Sequence, residues 1–361
     1  MVATPALFAI PGNIDLPTGG YGYDRRLLRL LSQCGVAARH VPLPGAYPFP
    51  TADDLAATAR ALRHAPRDAG AGPGPVLMID GLAYGAMPAS LINGLPYPIL
   101  ALVHHPLCLE AGLTGEQQAA LRASETAALA RAAHVVVTSP TTAATLAADF
   151  GVPAARITTA LPGTDPAPRA TGTGAPLQML AVGSVVARKD YPTLVRALAP
   201  LGRRDWRLTI VGPIHLDGAA LQALQAAIRV TGLHEHIALT GPASPAEMAR
   251  HYAAADLMVS TSLYEGYGMA LAEALAHGLP IVCTTGGAAA ETVPDAAAIK
   301  VPPGDAAALT AALARVVDDA ELRHQLGNAA WRAAQSLTRW EDTAGIVAGA
   351  IRTVATGKGT R

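Results

Sequence analysis

Aromatic side chains are scarce in this 361-residue chain, at 4% of positions, and charged ones make up only 15%. The 27 lysines and arginines balance 27 aspartates and glutamates, so there is no overall basic field to attract nucleic acid, and no such partner is expected. Three cysteines, Cys34, Cys108 and Cys283, stand without metal-ligand spacing; they suggest neither a zinc site nor a disulfide framework and read as small core residues. There is no Asp-x-Asp pair to hold a divalent metal. The only adjacent aspartates, Asp53 with Asp54 and Asp318 with Asp319, fall in or beside helical segments, and no metal site is assigned. No stretch approaches the roughly 20 apolar residues that cross a bilayer. The opening "MVATPALFAIPGN" lacks a positive n-region and its apolar run breaks at Pro11, which makes it a first strand and not a signal peptide. A cytoplasmic location is expected, with docking on a membrane surface left open.

Missing motifs exclude further chemistries. A dinucleotide fingerprint needs glycine where Arg25 follows Gly20 and Gly22. A Walker A sequence needs Ser or Thr where "TGKGTR" at the C-terminus has glycine. No Gly-x-Ser-x-Gly elbow is present for a hydrolase of the Ser-His-Asp kind.

What is present is an alternation of short apolar runs with longer periodic stretches, the pattern of βαβ units around parallel sheets. The runs "ALFAI" (6–10), "VLMID" (76–80), "ILALVHH" (99–105) and "HVVVTS" (134–139) are strands of a first half. A glycine-rich turn follows the first of them and leads to the helical "DRRLLRLLSQCG", with Leu27, Leu28, Leu30 and Leu31 apolar and Gly35 as its stop. "APRATGTGAP", residues 167–176, is small, proline-edged and aperiodic, as a linker is. The alternation then restarts with "LQMLAVGS", "LTIVGP", "IALTGP", "LMVSTS", "PIVCTT" and "AAIKVPP". Since single cores rarely exceed roughly 250 to 300 residues, two domains are expected. These are an N-terminal Rossmann-like domain at 1–166, a linker at 167–176, a C-terminal Rossmann-like domain at 177–335, and a helix and polar tail at 336–361 packing back toward the first domain. Ligands of doubly wound domains bind at the C-terminal ends of their strands, so a cleft between the two is the default site.

The stretch "YEGYGMALAEALAHGLP" concentrates the polar signal. A buried strand leads into a loop with Glu265, Gly266, Tyr267 and Gly268, and a helix from Met269 carries Glu273 before Gly278 and Pro280 end it. A helix start offers unpaired N–H groups and the positive end of the dipole, and glycines let an anion approach the backbone. Carboxylates accept from sugar or ribose hydroxyls. Glu265 can instead serve as a cap that complements the dipole; for Glu273, flanked by "ALA" on both sides, a solvated face fits poorly.

This segment resembles the Glu-x7-Glu signature of the retaining family 4 glycosyltransferases, whose GT-B fold has two facing Rossmann-like domains. The likeness covers almost the whole chain. "TGGYGYDRRLLRLLSQCG" is similar to the family's glycine-rich loop through Gly19, Gly20 and Gly22, and "VGSVVARKDYPTLVRAL", with Gly183 and Ser184, to its phosphate loop. "SPTTAATLAADFGVPAARITTALPGTD" is similar to the end of its first domain. Glu291 stands one residue off the family's spacing, and "VGPIHLD" lacks a glycine pair often seen there.

The resemblance implies a metal-independent hexosyltransferase with a nucleotide diphosphate sugar as donor and no further cofactor. Its acceptor is a hydroxyl of a small molecule, glycan or lipid. Arg188 and Lys189 would stabilise the departing diphosphate, while Glu265 and Gly266 to Met269 would hold sugar hydroxyls and the distal phosphate. Glu273 would hold the ribose diol, and His104 or its neighbour His105 would reach the donor sugar. The acceptor is expected near Tyr21, Tyr23, Asp24 and the "GAYPFP" turn, and Arg25, Arg26 and Arg29 leave a weak electrostatic membrane contact open. A GT-B epimerase or phosphorylase and a non-catalytic nucleotide-sugar-binding subunit are the alternatives.

Overall fold

β3 (Val76–Asp80) and β4 (Ile99–Val103) are buried at every position, as strands are when helices cover both faces of a parallel sheet. The structure, a computed structural model, describes residues 3–63 and 74–357; the end of the polar tail, with most of "TGKGTR", lies outside them. Contacts divide the chain into two units, Met1–Gly163 with Thr338–Arg361, and Thr164–Leu337.

The first unit holds a six-stranded parallel sheet of β1 (Thr4–Pro11), β2 (Val36–Leu43), β3, β4, β5 (His134–Val137) and β6 (Ile157–Thr159), in the order β2-β1-β3-β4-β5-β6. β2 and β6 escape the sequence reading because they are edge strands. β2 alternates buried and exposed positions, with Arg39 and His40 interrupting the apolar pattern, and β6 has three half-buried residues. Leu77, Ile79, Ala101, Val103, Val135 and Val137 form part of one core face. The last helix, Trp340–Ala355, belongs to this unit and buries Ala344, Val347, Ala348 and Ile351. It enters over Gly163, where a Cβ would stand 2.4 Å from the Trp340 backbone, so only glycine fits that crossing.

The second unit holds β7 (Leu177–Val182), β8 (Trp206–Val211), β9 (Ile237–Gly241), β10 (Leu257–Ser260), β11 (Ile281–Thr284) and β12 (Ala298–Val301), in the order β12-β11-β10-β7-β8-β9. Read from β9, this is the doubly wound 3-2-1-4-5-6 order, and both units are Rossmann-like.

Two expectations are corrected. Residues 167–176 are not a free spacer. The amide of Ala170 donates to the His277 carbonyl at 2.8 Å and that of Thr171 to Ala253 at 3.1 Å. The Asp256 carboxylate collects the amides of Thr173, Gly174 and Gln178. Small aperiodic residues carry no local sign of such long-range partners. Second, Gly19, Gly20 and Gly22 form no loop; they are the first turn of the helix Gly19–Leu30. Glycine there costs about 1 kcal/mol in helix propensity, but it lets the helix lie against a histidine described below.

Candidate functional site

In a doubly wound sheet, ligands sit beyond the strand ends where the strand order reverses. In the second unit that point lies between β7 and β10. β7 runs into Gly183, whose φ of +150° and lack of a side chain both serve the site, because a Cβ would meet Lys189 Cε at 2.7 Å. A short 3-10 turn, Ala187–Lys189, follows and is closed by Asp190 with φ +44°. Its amide at Ala187 is held by the Asp217 carboxylate at 3.2 Å. This turn presents Arg188 and Lys189 to the loop after β10.

That loop is laced to the turn by its backbone. Leu263 N–H donates to the Arg188 carbonyl at 2.8 Å, and the Thr261 hydroxyl donates to the Lys189 carbonyl at 2.8 Å. Glu265 is buried, at 7% exposure, so its charge has to be answered by the protein. Lys189 Nζ donates to its Oε1 at 2.6 Å, the Ser262 hydroxyl to the same oxygen at 2.6 Å, and Arg188 lies 3.4 Å from Oε2. Arg188 also donates to the Tyr264 carbonyl at 2.7 Å. Burial by itself raises the acid's pKa, but Lys189 and then Arg188 outweigh it and hold Glu265 down at about 2.

This depression fixes a pH dependence. A carboxylate whose folded pKa lies below its usual 4.5 stabilises the fold above about pH 4.5 and loses that contribution as pH falls toward 2. The shift corresponds to roughly 3 kcal/mol. Chemical denaturation between pH 5 and pH 3 is therefore expected to show wild type losing more stability than Glu265→Gln. Parallel acid slopes in the two proteins would refute the pairing.

The backbone of Glu265 is clamped from a third side by the "TTGG" loop after β11. Glu265 N–H donates to the Gly286 carbonyl at 3.2 Å and Ala288 N–H to the Glu265 carbonyl at 2.8 Å. Gly286 and Gly287 make this possible, as a Cβ at either would stand 2.3 Å from a backbone oxygen of the β10 loop. The hydroxyls of Thr261, Ser262 and Thr284 are buried with them, Thr284 donating to the Ser262 carbonyl at 2.5 Å. None of these five positions is singled out in the sequence; the "TTGG" pair was the available signal. Gly268 caps the helix Met269–Ala276 with φ +96°, and the Tyr267 carbonyl is held by Thr292 at 2.6 Å. Gly266 and Ser184 are half-buried in the same two loops. Glu273 lies a turn and more along that helix, half-buried, and accepts from the Tyr252 hydroxyl at 2.7 Å. Tyr252 in turn stacks on His277 at 4.8 Å. The structure thus brings Arg188, Lys189 and Glu265 together and gives Glu273 a partner of its own.

In the first unit the order reverses between β1 and β3, and polar residues gather there too. β3 ends on Asp80, which caps the next turn by accepting from Leu82 N–H at 2.7 Å. β4 ends one residue before His104, whose Nε2 lies 3.3 Å from Asp24 Oδ1 and 3.5 Å from Asp80 Oδ2. Gly20 approaches the same ring, a Cβ there falling 3.3 Å from His104 Cδ2. His105 turns instead to Glu110, at 3.1 Å. Asp24, Asp80 and His104 each offer one atom within 4.8 Å of the others, a spacing that could gather a cation. Tyr23 and Asp24, at 1% and 0% exposure, are core residues of the helix and not acceptor-facing loop residues. Periodicity starting at Asp24 hid them. Arg25 donates to the carbonyls of Ile14 and Leu16, and Arg26 lies over Trp340 at 5.6 Å, so both are engaged within the unit. Among the described residues no helix is long and apolar enough to cross a membrane.

Two Rossmann-like units in one chain are the architecture of the GT-B class of protein, and here the second carries the Lys189–Glu265–Arg188 cluster at its switch point. Residues 8–163 match the profile of the glycosyl transferase 4-like domain, and residues 169–332 that of the glycosyl transferases group 1. Together the two matches span both units, and they indicate a GT4-like glycosyltransferase of GT-B fold. It is 31% identical over 171 residues to the MMP alpha-(1->4)-mannosyltransferase of Mycolicibacterium hassiacum, covering 46% of this chain and 41% of that one. It is 28% identical over 242 residues to the D-inositol 3-phosphate glycosyltransferase of Paenarthrobacter aurescens, covering 63% and 59%. The chain thus spans less than two thirds of the length of either relative. A sucrose-phosphate synthase from Thermosynechococcus elongatus has the same fold, with TM-score 0.81 and 22% identity over 98% of this chain and 100% of that one.

Proposed function

We propose that the protein is a retaining, metal-independent family 4 glycosyltransferase that moves a hexose from a nucleotide diphosphate sugar to an acceptor hydroxyl. The observation that carries this reading is the Lys189–Glu265–Arg188 cluster at the β7/β10 switch point. Two cations and one carboxylate leave a net positive charge, fixed in a buried frame, for a diphosphate to meet. Such preorganised charge acts where the leaving group becomes anionic, and costs no reorganisation at that moment.

In such a transfer the residues take these roles. Lys189 and Arg188 stabilise the departing phosphate, with Glu265 keeping both in place and offering its oxygens to sugar hydroxyls. The N–H groups from Gly266 to Met269 bind the distal phosphate. Glu273, already oriented by Tyr252, accepts from the ribose diol. Gly183 and Ser184 let the phosphates lie against the backbone of the second unit. In a front-face transfer the acceptor's proton goes to the leaving phosphate oxygen on the same side of the sugar, so the protein supplies position and charge and no nucleophile.

The test is a thermal-shift panel of nucleotide sugars, followed by turnover with candidate acceptors in chelator. GDP-mannose heads the panel, because a mannosyltransferase is among the relatives. One nucleotide sugar is expected to raise the melting temperature by several degrees, since a ligand stabilises by RT ln(1 + [L]/Kd). Its sugar is expected to reach an acceptor with the anomeric configuration kept. An inverted product, a strict metal requirement, or donor binding with no transfer to any acceptor would overturn the proposal.

A further inference from the structure

Asp24, Asp80 and His104 form a polar cluster in the first unit, with both acids buried, and the mechanism above uses none of the three. Asp24 is fully buried, and neither of its carboxylate oxygens has a well-aligned hydrogen bond among the described residues; nor has His104 Nε2. The three groups instead face one another at ion-pair distance, 3.3 and 3.5 Å. An uncompensated buried carboxylate is costly. A proton on Nε2 between the two acids removes that cost.

We propose that Asp24 and Asp80 are positioning residues that fix His104 as a cation, with Nε2–H turned inward between them and Nδ1–H left as the donor to a substrate oxygen. What that oxygen belongs to, a donor sugar hydroxyl or a phosphate, rests on the transferase reading; the protonation of His104 does not.

The surroundings agree. The helix Gly19–Leu30 offers Asp24, the bare Gly20, and the edge of Tyr23 at 5.3 Å and 82°. Asp80 comes from the end of β3, and the Thr138 hydroxyl beyond β5 donates to the His104 carbonyl at 3.0 Å. Tyr21 and Tyr23 stay protonated, because burial foremost raises both phenols, with Asp80 and Asp24 adding to Tyr21 and Asp24 to Tyr23. Arg25, Arg26 and His105 are directed elsewhere. Burial alone would lower the His104 pKa, but Asp24 and Asp80 push it up to about 10. Burial and Asp80 raise Asp24, while Asp80, which burial would raise, is held down by His104 and the Leu82 amide. Asp80 is thus the more firmly ionised of the two acids that face the imidazole. At neutral pH His104 is then no general base. Its charge is lost only as pH rises through the raised value.

Nitrogen-15 spectra of the histidine side chains read this directly in the wild-type protein. Both His104 nitrogens are expected at imidazolium positions at pH 8 and to titrate only above about pH 9. Asp24→Asn and Asp80→Asn should each lower that midpoint by one unit or more, and the double variant should bring it below the ordinary value of about 6.5. In the double variant kcat/KM should then fall as pH rises through neutrality, where wild type stays flat. A wild-type midpoint at or below 6.5 overturns the proposal. So does stoichiometric Zn²⁺ or Mn²⁺ binding at Nε2, since a ligated nitrogen carries no proton. If the double variant does not fold, unchanged midpoints in the single variants overturn it as well. Loss of all transferase activity with the expected titrations would count against the transferase reading and leave the imidazolium standing.

Discussion

Lys189→Ala is expected to lower turnover by about two to three orders of magnitude, with a much smaller change in donor affinity. The size is that of losing one preorganised stabiliser of developing charge, roughly 3 to 4 kcal/mol of barrier. Lys189 is suited to be that stabiliser because its ammonium is not free to wander. Gly183 makes room for its stem, Asp190 closes the turn that carries it, and Glu265 and the Thr261 hydroxyl hold its two ends. Arg188 remains in the variant but sits farther from the carboxylate, at 3.4 Å against 2.6 Å, and is tied to the Tyr264 carbonyl. It should recover only part of the loss. Lys189→Arg should fare little better, as a planar guanidinium does not occupy the space that Gly183 leaves for a slender stem. Steady-state kinetics on a folded Lys189→Ala protein decide the matter; turnover within threefold of wild type would remove Lys189 from the chemistry.

How far the sequence foretells this site depends on whether a residue's partner is near it in the chain. Strands buried on both faces, such as β3 and β4, announce themselves as unbroken apolar runs, and the residues just past strand ends, Arg188, Lys189, Glu265 and His104, can be placed by counting from them. The partners cannot. Lys189 and Glu265 are 76 residues apart, and nothing local to either says that they meet. The His104 cluster needs a helix and two strand ends, and Asp80 reads simply as the last residue of an apolar run. The same distance effect turns residues 167–176 from apparent spacer into a segment held by Asp256. Edge strands fail for a different reason: β2 faces solvent on one side, so its polar residues dilute the pattern that betrays its neighbours.

Gly287→Ala should be among the most damaging small substitutions in the second unit. The residue has φ +60°, which alone costs alanine about 1 to 2 kcal/mol. Its Cβ would also lie 2.3 Å from the Glu265 carbonyl oxygen and 2.9 Å from the Glu265 nitrogen, and both are backbone atoms that cannot swing aside. Relief requires the Glu265 segment to move, stretching the two hydrogen bonds that fix it to Gly286 and Ala288. The carboxylate would be carried off its 2.6 Å contacts with Lys189 and Ser262 at the same time. A loss of roughly 3 kcal/mol or more of stability is expected from strain and clash together. Turnover should fall on the order of 100-fold even in the fraction that remains folded, the scale of a misplacement of about 1 Å. Gly232→Ala separates the two causes. Gly232 has φ +70° at the end of the helix Gly218–Thr231, yet nothing lies within 4 Å of its missing Cβ. That variant should pay only the left-handed backbone cost, about 1 kcal/mol, and keep full turnover. Should Gly287→Ala behave like Gly232→Ala in both denaturation and kinetics, the "TTGG" loop does not position Glu265, and the carboxylate owes its place to Lys189, Arg188 and Ser262 alone.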